Sequence, residues 1–398
     1  MKLYYKNETV RFGKRWAVLR FLLVFLLLVS VPAAYLLPRL LIRGELAEYY
    51  STHIFPALSF VPLTLSGFFM FSLTETFVVL GSAALLILLV LFIVRCFKLG
   101  FGSDTRHLLH FIYKTLRNVA IIAVVAALVF QVNHGINYNR KSMIEKMHLY
   151  GDERPYSDYE ETLLWAYLGM MNARNELGED YNGVSHMMSS FDTAVYDANV
   201  AVSSVSYHYG LGMSENYVRA KGVMLSRLWS YTEITGFYDM FLCESNINTD
   251  YIDALHFPVT LCHEISHAKG FASETDANTI AVLSCINSKR ADFRYAGYYF
   301  IFIRLLSKVN DYAQYEGVPV ENYAARPEFA GVIRDMNAYS RYREIFNQGP
   351  IADFIARFSE DVNDAFLESN GQEGGTETYR VPYDSFVEYY CRYIRADA

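Results

Sequence analysis

Apolar residues are gathered into long runs in the first third of this 398-residue chain and dispersed at helical spacing through the rest. Phe21 to Leu37 and Thr76 to Val94 carry no charge, and each approaches the roughly 20 residues that cross a hydrocarbon layer as helix. A third run, Val119 to Val132, is shorter but continues uncharged through Asn139. Three transmembrane helices are therefore expected, over 17–37, 75–96 and 118–135. Tyr49 to Thr74 also lacks charged side chains, yet Pro56, Pro62, Gly67 and several hydroxyl residues interrupt it, which predicts a re-entrant or interfacial segment over 50–72. Pro32-Ala33-Ala34 resembles a leader cleavage site, but the apolar character runs on to Ile42, so the first run is read as a retained span.

Beyond Arg140 the pattern changes to alternating helical periods with few prolines, no flexible linker and no internal repeat. Helices are predicted near 158–176, 190–206, 256–268, 275–289, 291–315, 326–345, 350–368 and 382–395. Phe237 to Asn248 is the best candidate for a strand, because aromatic and branched residues alternate there without helical spacing. The expected architecture is mostly α, a membrane domain over 1–140 followed by an α-rich domain over 141–398 with a small extended element.

Composition sharpens this. With 53% hydrophobic and 19% charged residues the chain is not disordered. The net charge of −7 hides a division: residues 1–133 carry 13 Lys and Arg against 5 Asp and Glu, and residues 134–398 carry 22 against 37. An acidic C-terminal portion with no basic tract excludes nucleic acid as a partner. Lys2, Lys6, Arg11, Lys14 and Arg15 precede the first span, and Arg95, Lys98, Arg106, Lys114 and Arg117 fill the loop before the third, whereas the loop after the first offers only Arg39 and Arg43. Positive loops stay cytoplasmic, so three crossings place the C-terminal domain outside the cytoplasm of a multi-pass cell-membrane protein. Cys96, Cys243, Cys262, Cys285 and Cys391 are scattered without a CxxC pair. Cys262 and Cys285 are read as small buried hydrophobes rather than a bridge between neighbouring helices.

The candidate chemistry lies in Thr260 to Asn278, which contains H-E-x-x-H. On a helix, positions i and i+4 share a face, so His263 and His267 can offer ring nitrogens to one ion. Glu264 is rotated by about 100°, which lets it miss the metal and still reach an activated water as general base. A catalytic zinc needs a third protein ligand, and two carboxylates follow. Ser273-x-x-Asp276 matches a helix capping box, which occupies Asp276 structurally and makes Glu274 the preferred ligand. Ser273 stands where H-x-x-G-x-x-H metalloproteases carry their third histidine, which argues against that group. Asn278, one turn after Glu274, is placed either to orient a ligating histidine or as an ordinary helix amide. His256 is expected ahead of the helix because Pro258 follows it. Phe293 to Tyr299 offers Arg294 and several phenols, either for oxyanion stabilisation or as an aromatic packing face.

Three blocks together, Gly135-Ile136-Asn137-Tyr138-Asn139-Arg140, His263 to Asn278 and Phe293 to Tyr298, resemble the bacterial membrane-protein family catalogued as domain of unknown function 3810. The resemblance covers nearly the whole chain and implies a few N-terminal spans followed by a zincin-like domain of the H-E-x-x-H metallopeptidases. Glu274 to Asn278 is similar to the E-x-x-A-D third-ligand motif of gluzincin membrane peptidases, which implies Glu274 as ligand; Asn278 replaces the aspartate.

The function expected is a membrane-anchored zinc metallopeptidase. One Zn²⁺ is held by His263, His267 and Glu274, Glu264 is the catalytic base, and the partners are the lipid bilayer and a peptide or protein substrate outside the cytoplasm. The alternative is a membrane-anchored sensor or binding module whose metal site is structural or vestigial. Transport is disfavoured, since few charged residues, Arg20 and Glu75 among them, lie near or inside the spans and three crossings provide little to line a path.

Overall fold

The computed structural model describes residues 14–100, 105–150, 154–317, 321–370 and 383–397. Lys2, Lys6 and Arg11, which enter the orientation argument, lie outside the described residues, as does residue 382. In chain order the main elements are α1 (Lys14–Leu41), α2 (Phe55–Gly67), α3 (Leu73–Gly100), α4 (Thr105–Asn133), α5 (Tyr156–Asn175), α6 (Phe191–His208), β1 (Lys221–Gly222), β2 (Gly236–Asp239) and β3 (Glu244–Ile247). There follow α7 (Phe257–Ala268), α8 (Glu274–Ile286), α9 (Ala291–Glu316), α10 (Ala330–Glu344), α11 (Pro350–Ser369) and α12 (Tyr383–Tyr389). The protein is mostly α, as its hydrophobic periodicity predicts.

Among the described residues three helices are long and apolar enough to cross a membrane: Val18–Leu41, Leu73–Leu99 and His107–Asn133. They mark the chain as a membrane protein. Of the described residues, those within 1–41 and 79–132 form one compact unit, and those within 42–78 and 133–398 form another. Within the first, side chains such as Phe21, Leu85 and Ile122 are largely exposed, and Tyr35 stacks on Phe130 with ring centroids 5.5 Å apart. The division is therefore not a single boundary near residue 140, because the connection between the first two spans folds into the C-terminal unit.

A buried polar cluster explains that placement. The Glu244 carboxylate on β3 accepts from Ser66 Oγ at 2.7 Å, Ser72 Oγ at 3.1 Å, the Thr74 backbone N–H at 3.0 Å and Lys221 Nζ at 2.5 Å. Every one of these groups is buried. With its charge both paired and hydrogen-bonded, Glu244 fixes the end of α2 and the start of α3 to the sheet. Ser59, Leu63 and Ser66 face this interior, whereas Phe60, Val61 and Leu65 of the same helix are exposed.

The sheet has three strands in the order β1-β3-β2, with β1 parallel and β2 antiparallel to β3. Phe237–Asn248 is thus a hairpin, not one strand: Tyr238 pairs Ser245 and Asp239 pairs Glu244 around a turn in which Cys243 takes φ 52°. The main core lies beneath it, where α7, α8 and α9 pack together and α5 and α6 flank them. Leu261, Ile265, Ala281, Tyr295 and Phe302 are among its fully buried side chains.

Candidate metal centre

Helix α7 begins with Pro258, whose missing N–H costs nothing in a first turn, and it stops where Gly270 takes φ 103°. Ser273 then caps α8 by accepting from the Asp276 N–H. The turn between the two helices folds the first turn of α8 back against the last turn of α7. As a result His263 Nε2 and His267 Nε2 lie 2.9 Å apart, His263 Nε2 lies 3.1 Å from Glu274 Oε2, and His267 Nε2 lies 3.4 Å from Glu274 Oε1. All three side chains are buried.

These separations can be set against a tetrahedral ion. Two arms of about 2.0–2.1 Å at the tetrahedral angle end about 3.3 Å apart. The two histidine–glutamate distances match that edge, and the histidine–histidine distance is a few tenths of an ångström shorter. The tautomer also fits. His267 Nδ1 donates to the Phe271 carbonyl at 2.7 Å, and a carbonyl can only accept, so the neutral ring presents a bare lone pair at Nε2. Two imidazoles and a carboxylate form the donor set of a catalytic zinc site.

Burial and charge act together here. Burial of His267 opposes its charged form, but the Glu274 carboxylate more than offsets this and raises the imidazole to about 9. Glu274 is likewise opposed by burial, and the two imidazoles hold it well below the usual carboxylate range. Glu264 faces a different balance: burial pushes its carboxyl up to about 7 against the pull of both histidines. Its Oε2 is buried and receives no protein hydrogen bond. A carboxylate oxygen in that state is costly unless a ligand or solvent molecule satisfies it.

His263, Glu264 and Asn278 open onto a cleft of about 630 Å³. Its walls include Thr232 to Gly236 at the start of β2, Leu255 and Val259 before and on α7, Tyr299 to Arg304 on α9, and the 356–363 face of α11. Gly236 is a built-in close approach: a Cβ there would lie 2.5 Å from Glu264 Oε1.

Residues 50–387 match the family described as protein of unknown function (DUF3810). The chain belongs to this family. No curated protein and no solved structure matches it.

Across the family region the structure sorts the remaining candidates. Asp276 stands apart from the imidazoles, and its carboxylate accepts the Met143 N–H at 2.9 Å. Asn278 is buried at the cleft wall. His256 precedes α7 and meets Asp253 Oδ1 at 3.1 Å. Arg294 is removed from the site, because its guanidinium grips the Glu176 carboxylate at 2.7 and 2.8 Å. Tyr295 donates to Asp335 in the core, and of this block only Tyr299 lines the cleft. Cys262 and Cys285 carry free thiols 3.9 Å apart.

Three contributors escape sequence reasoning. His134, just after the third span, is buried with its ring 6.0 Å from that of His267, and Tyr238 of β2 stacks on His267 at 6.1 Å. Ser245 Oγ donates to the Glu264 carbonyl at 2.8 Å, which ties β3 to α7. The post-span Gly135–Arg140 block was the one available signal for the first.

Proposed function

We propose that the protein is a membrane-anchored zinc-dependent metallopeptidase that cleaves peptide bonds outside the cytoplasm. The carrying observation is the donor triangle of His263, His267 and Glu274 with Glu264 beside it, opening on a cleft. Among the described residues the set has three protein donors, the number typical of catalytic zinc, whereas structural zinc has four. Zinc held there supplies a Lewis acid for the scissile carbonyl and acidifies water at neutral pH.

The protein's own part follows from position. Glu264 takes the proton of the attacking water and returns it to the leaving amine, a part that its place beside the donor triangle, with Oε2 buried and free of protein hydrogen bonds, supports. Burial of His267 against the Phe271 carbonyl keeps its ring from turning. β2 is an edge strand of the sheet, and its first residue lies against Glu264, which supports main-chain pairing of an extended substrate along it. The extracytoplasmic placement rests on the positive loops of the sequence.

Zinc analysis of purified wild type and Glu264→Gln, with a peptide-library cleavage assay, tests the reading. Stoichiometric zinc in both and cleavage by the wild type alone is expected. Equal turnover by Glu264→Gln, or a wild type that takes up no zinc, removes it. Full zinc in a wild type that cleaves nothing favours a binding module.

A further inference from the structure

The Gly135–Arg140 block has no role in the chemistry above, yet its last residue reaches the metal helices. Arg140 is buried, with a side chain only 2% exposed. Its Nη1 donates to the Gly270 carbonyl at 2.8 Å, and its Nη2 donates to the Leu211 carbonyl at 2.8 Å and the Gly212 carbonyl at 3.1 Å. Its guanidinium carbon lies 3.8 Å from the centre of the fully buried Phe271 ring. Glu48 completes the charge pair at 3.5 Å. Gly270 and Phe271 are the turn that ends α7, and the Phe271 carbonyl is the group that holds His267 Nδ1.

We propose that Arg140 is a positioning residue for His267, setting the turn whose carbonyl aims that imidazole at the metal. The proposal rests on the zinc-site reading but not on peptide hydrolysis. Three features of the geometry support it. A planar fork spanning carbonyls from two loops fixes their separation in a way a single ammonium cannot. The cation over the Phe271 ring restrains the residue that supplies the carbonyl. The close fit at Gly270, where a Cβ would lie 3.1 Å from the Phe55 ring and 3.4 Å from Arg140 Nη1, leaves the turn little room to shift. Three residues on, the Met143 N–H engages Asp276 on α8, so the segment that leaves the third span contacts both the turn after α7 and the first turn of α8.

The experiment uses the full chain in detergent and compares wild type, Arg140→Lys, Phe271→Leu and a control, Arg174→Lys. Arg174 is also a buried paired cation, bonded to Asp335 at 2.8 Å, but it is absent from the metal site. Zinc affinity is read by competition with a chromophoric chelator, and ligand geometry by the visible absorption of the cobalt-substituted protein. Loss of a group that orients a ligand weakens metal binding about 10- to 100-fold. Arg140→Lys should show a loss of that order and an altered cobalt band. Phe271→Leu, which keeps the carbonyl and loses the ring, should show a smaller loss in the same direction, and Arg174→Lys should leave both readings at wild type. Wild-type affinity and an unchanged cobalt spectrum in Arg140→Lys, or an equal loss in Arg174→Lys, overturns the proposal. Should Arg140→Lys not fold, an unchanged Phe271→Leu overturns it. A wild type that binds no zinc removes the site itself, whereas one that binds zinc without hydrolysing peptides removes only the peptidase.

Discussion

Gly236 and Glu264 occupy adjoining space: the first residue of β2, an edge strand of the sheet, leaves only enough room for a hydrogen where the carboxylate of α7 stands. Gly236→Ala brings a methyl to 2.5 Å from Glu264 Oε1, and either the strand or the carboxylate must move. The metal donors on α7 and α8 are not touched. Because a well-placed general base contributes about 100- to 10,000-fold, the variant should lose at least about 100-fold in kcat while keeping its zinc. Cleavage kinetics paired with metal analysis check this, and wild-type kcat in the alanine variant would show that Glu264 has no positional task.

The Glu244–Lys221 pair makes a stability prediction that is independent of catalysis. Both side chains are buried, so Lys221→Met strands the carboxylate and should cost about 3–5 kcal/mol. Burial opposes ionisation of Glu244, but Lys221, Ser66 and the Thr74 N–H outweigh it and hold the carboxyl below its ordinary 4.5. Its contribution is therefore complete above pH 4.5 and is lost as the pH falls through the lower folded value. Lys221 shifts down as well, because burial outweighs its bond to Glu244. The converging donors on the carboxylate, from Ser66, Ser72, Thr74, Lys221 and the more distant Leu73 N–H at 3.4 Å, favour the charged pair. Thermal melts between pH 3 and 7 should show a steep acid limb in the wild type that flattens in Glu244→Gln.

The spans were legible because a long run without charge has few alternative meanings, and the donor pair because i and i+4 share a helix face whatever surrounds them. Glu274 beside the imidazoles followed from giving Asp276 to the cap; that Asp276 also receives the N–H of Met143, 133 residues earlier, no local pattern reveals. The hairpin read as one segment because its turn, Met240-Phe241-Leu242-Cys243, contains none of the glycine, proline or asparagine that marks a reversal. Lys221–Gly222 is too short to show alternation. Arg140 was seen as part of a block, but its grip on Gly270 spans 130 residues and exists only once the chain has folded.

Orientation can be tested at Tyr181, which is 97% exposed in the loop between α5 and α6. If the positive loops face the cytoplasm, Tyr181→Cys in intact cells should react with a membrane-impermeant maleimide. A cysteine replacing Lys98, at the end of the second span, should react only after the cells are opened. The reverse pattern would put the unit with the candidate metal site in the cytoplasm and overturn the extracytoplasmic part of the proposed function.

Helix α2 offers the last prediction. Its buried face is satisfied by protein, with Ser66 donating to Glu244 and Phe55 fully enclosed. The other face and the following turn present Phe60, Val61, Leu65, Phe68 and Met70 to the surroundings, the last two 75% and 73% exposed. An apolar surface of this kind is unfavourable in water, and the same stretch of chain runs into a membrane-crossing helix from Leu73. The bilayer interface is the environment that makes the exposure favourable. An environment-sensitive fluorophore on a cysteine at position 68 or 70, in a Cys96→Ser background, should be blue-shifted in proteoliposomes and quenched by nitroxide lipids labelled near the headgroup. The same fluorophore at position 207, where Tyr207 is 91% exposed, should be unaffected. Equal behaviour at all three positions would mean that α2 meets water, and that its apolar face is covered by something other than lipid.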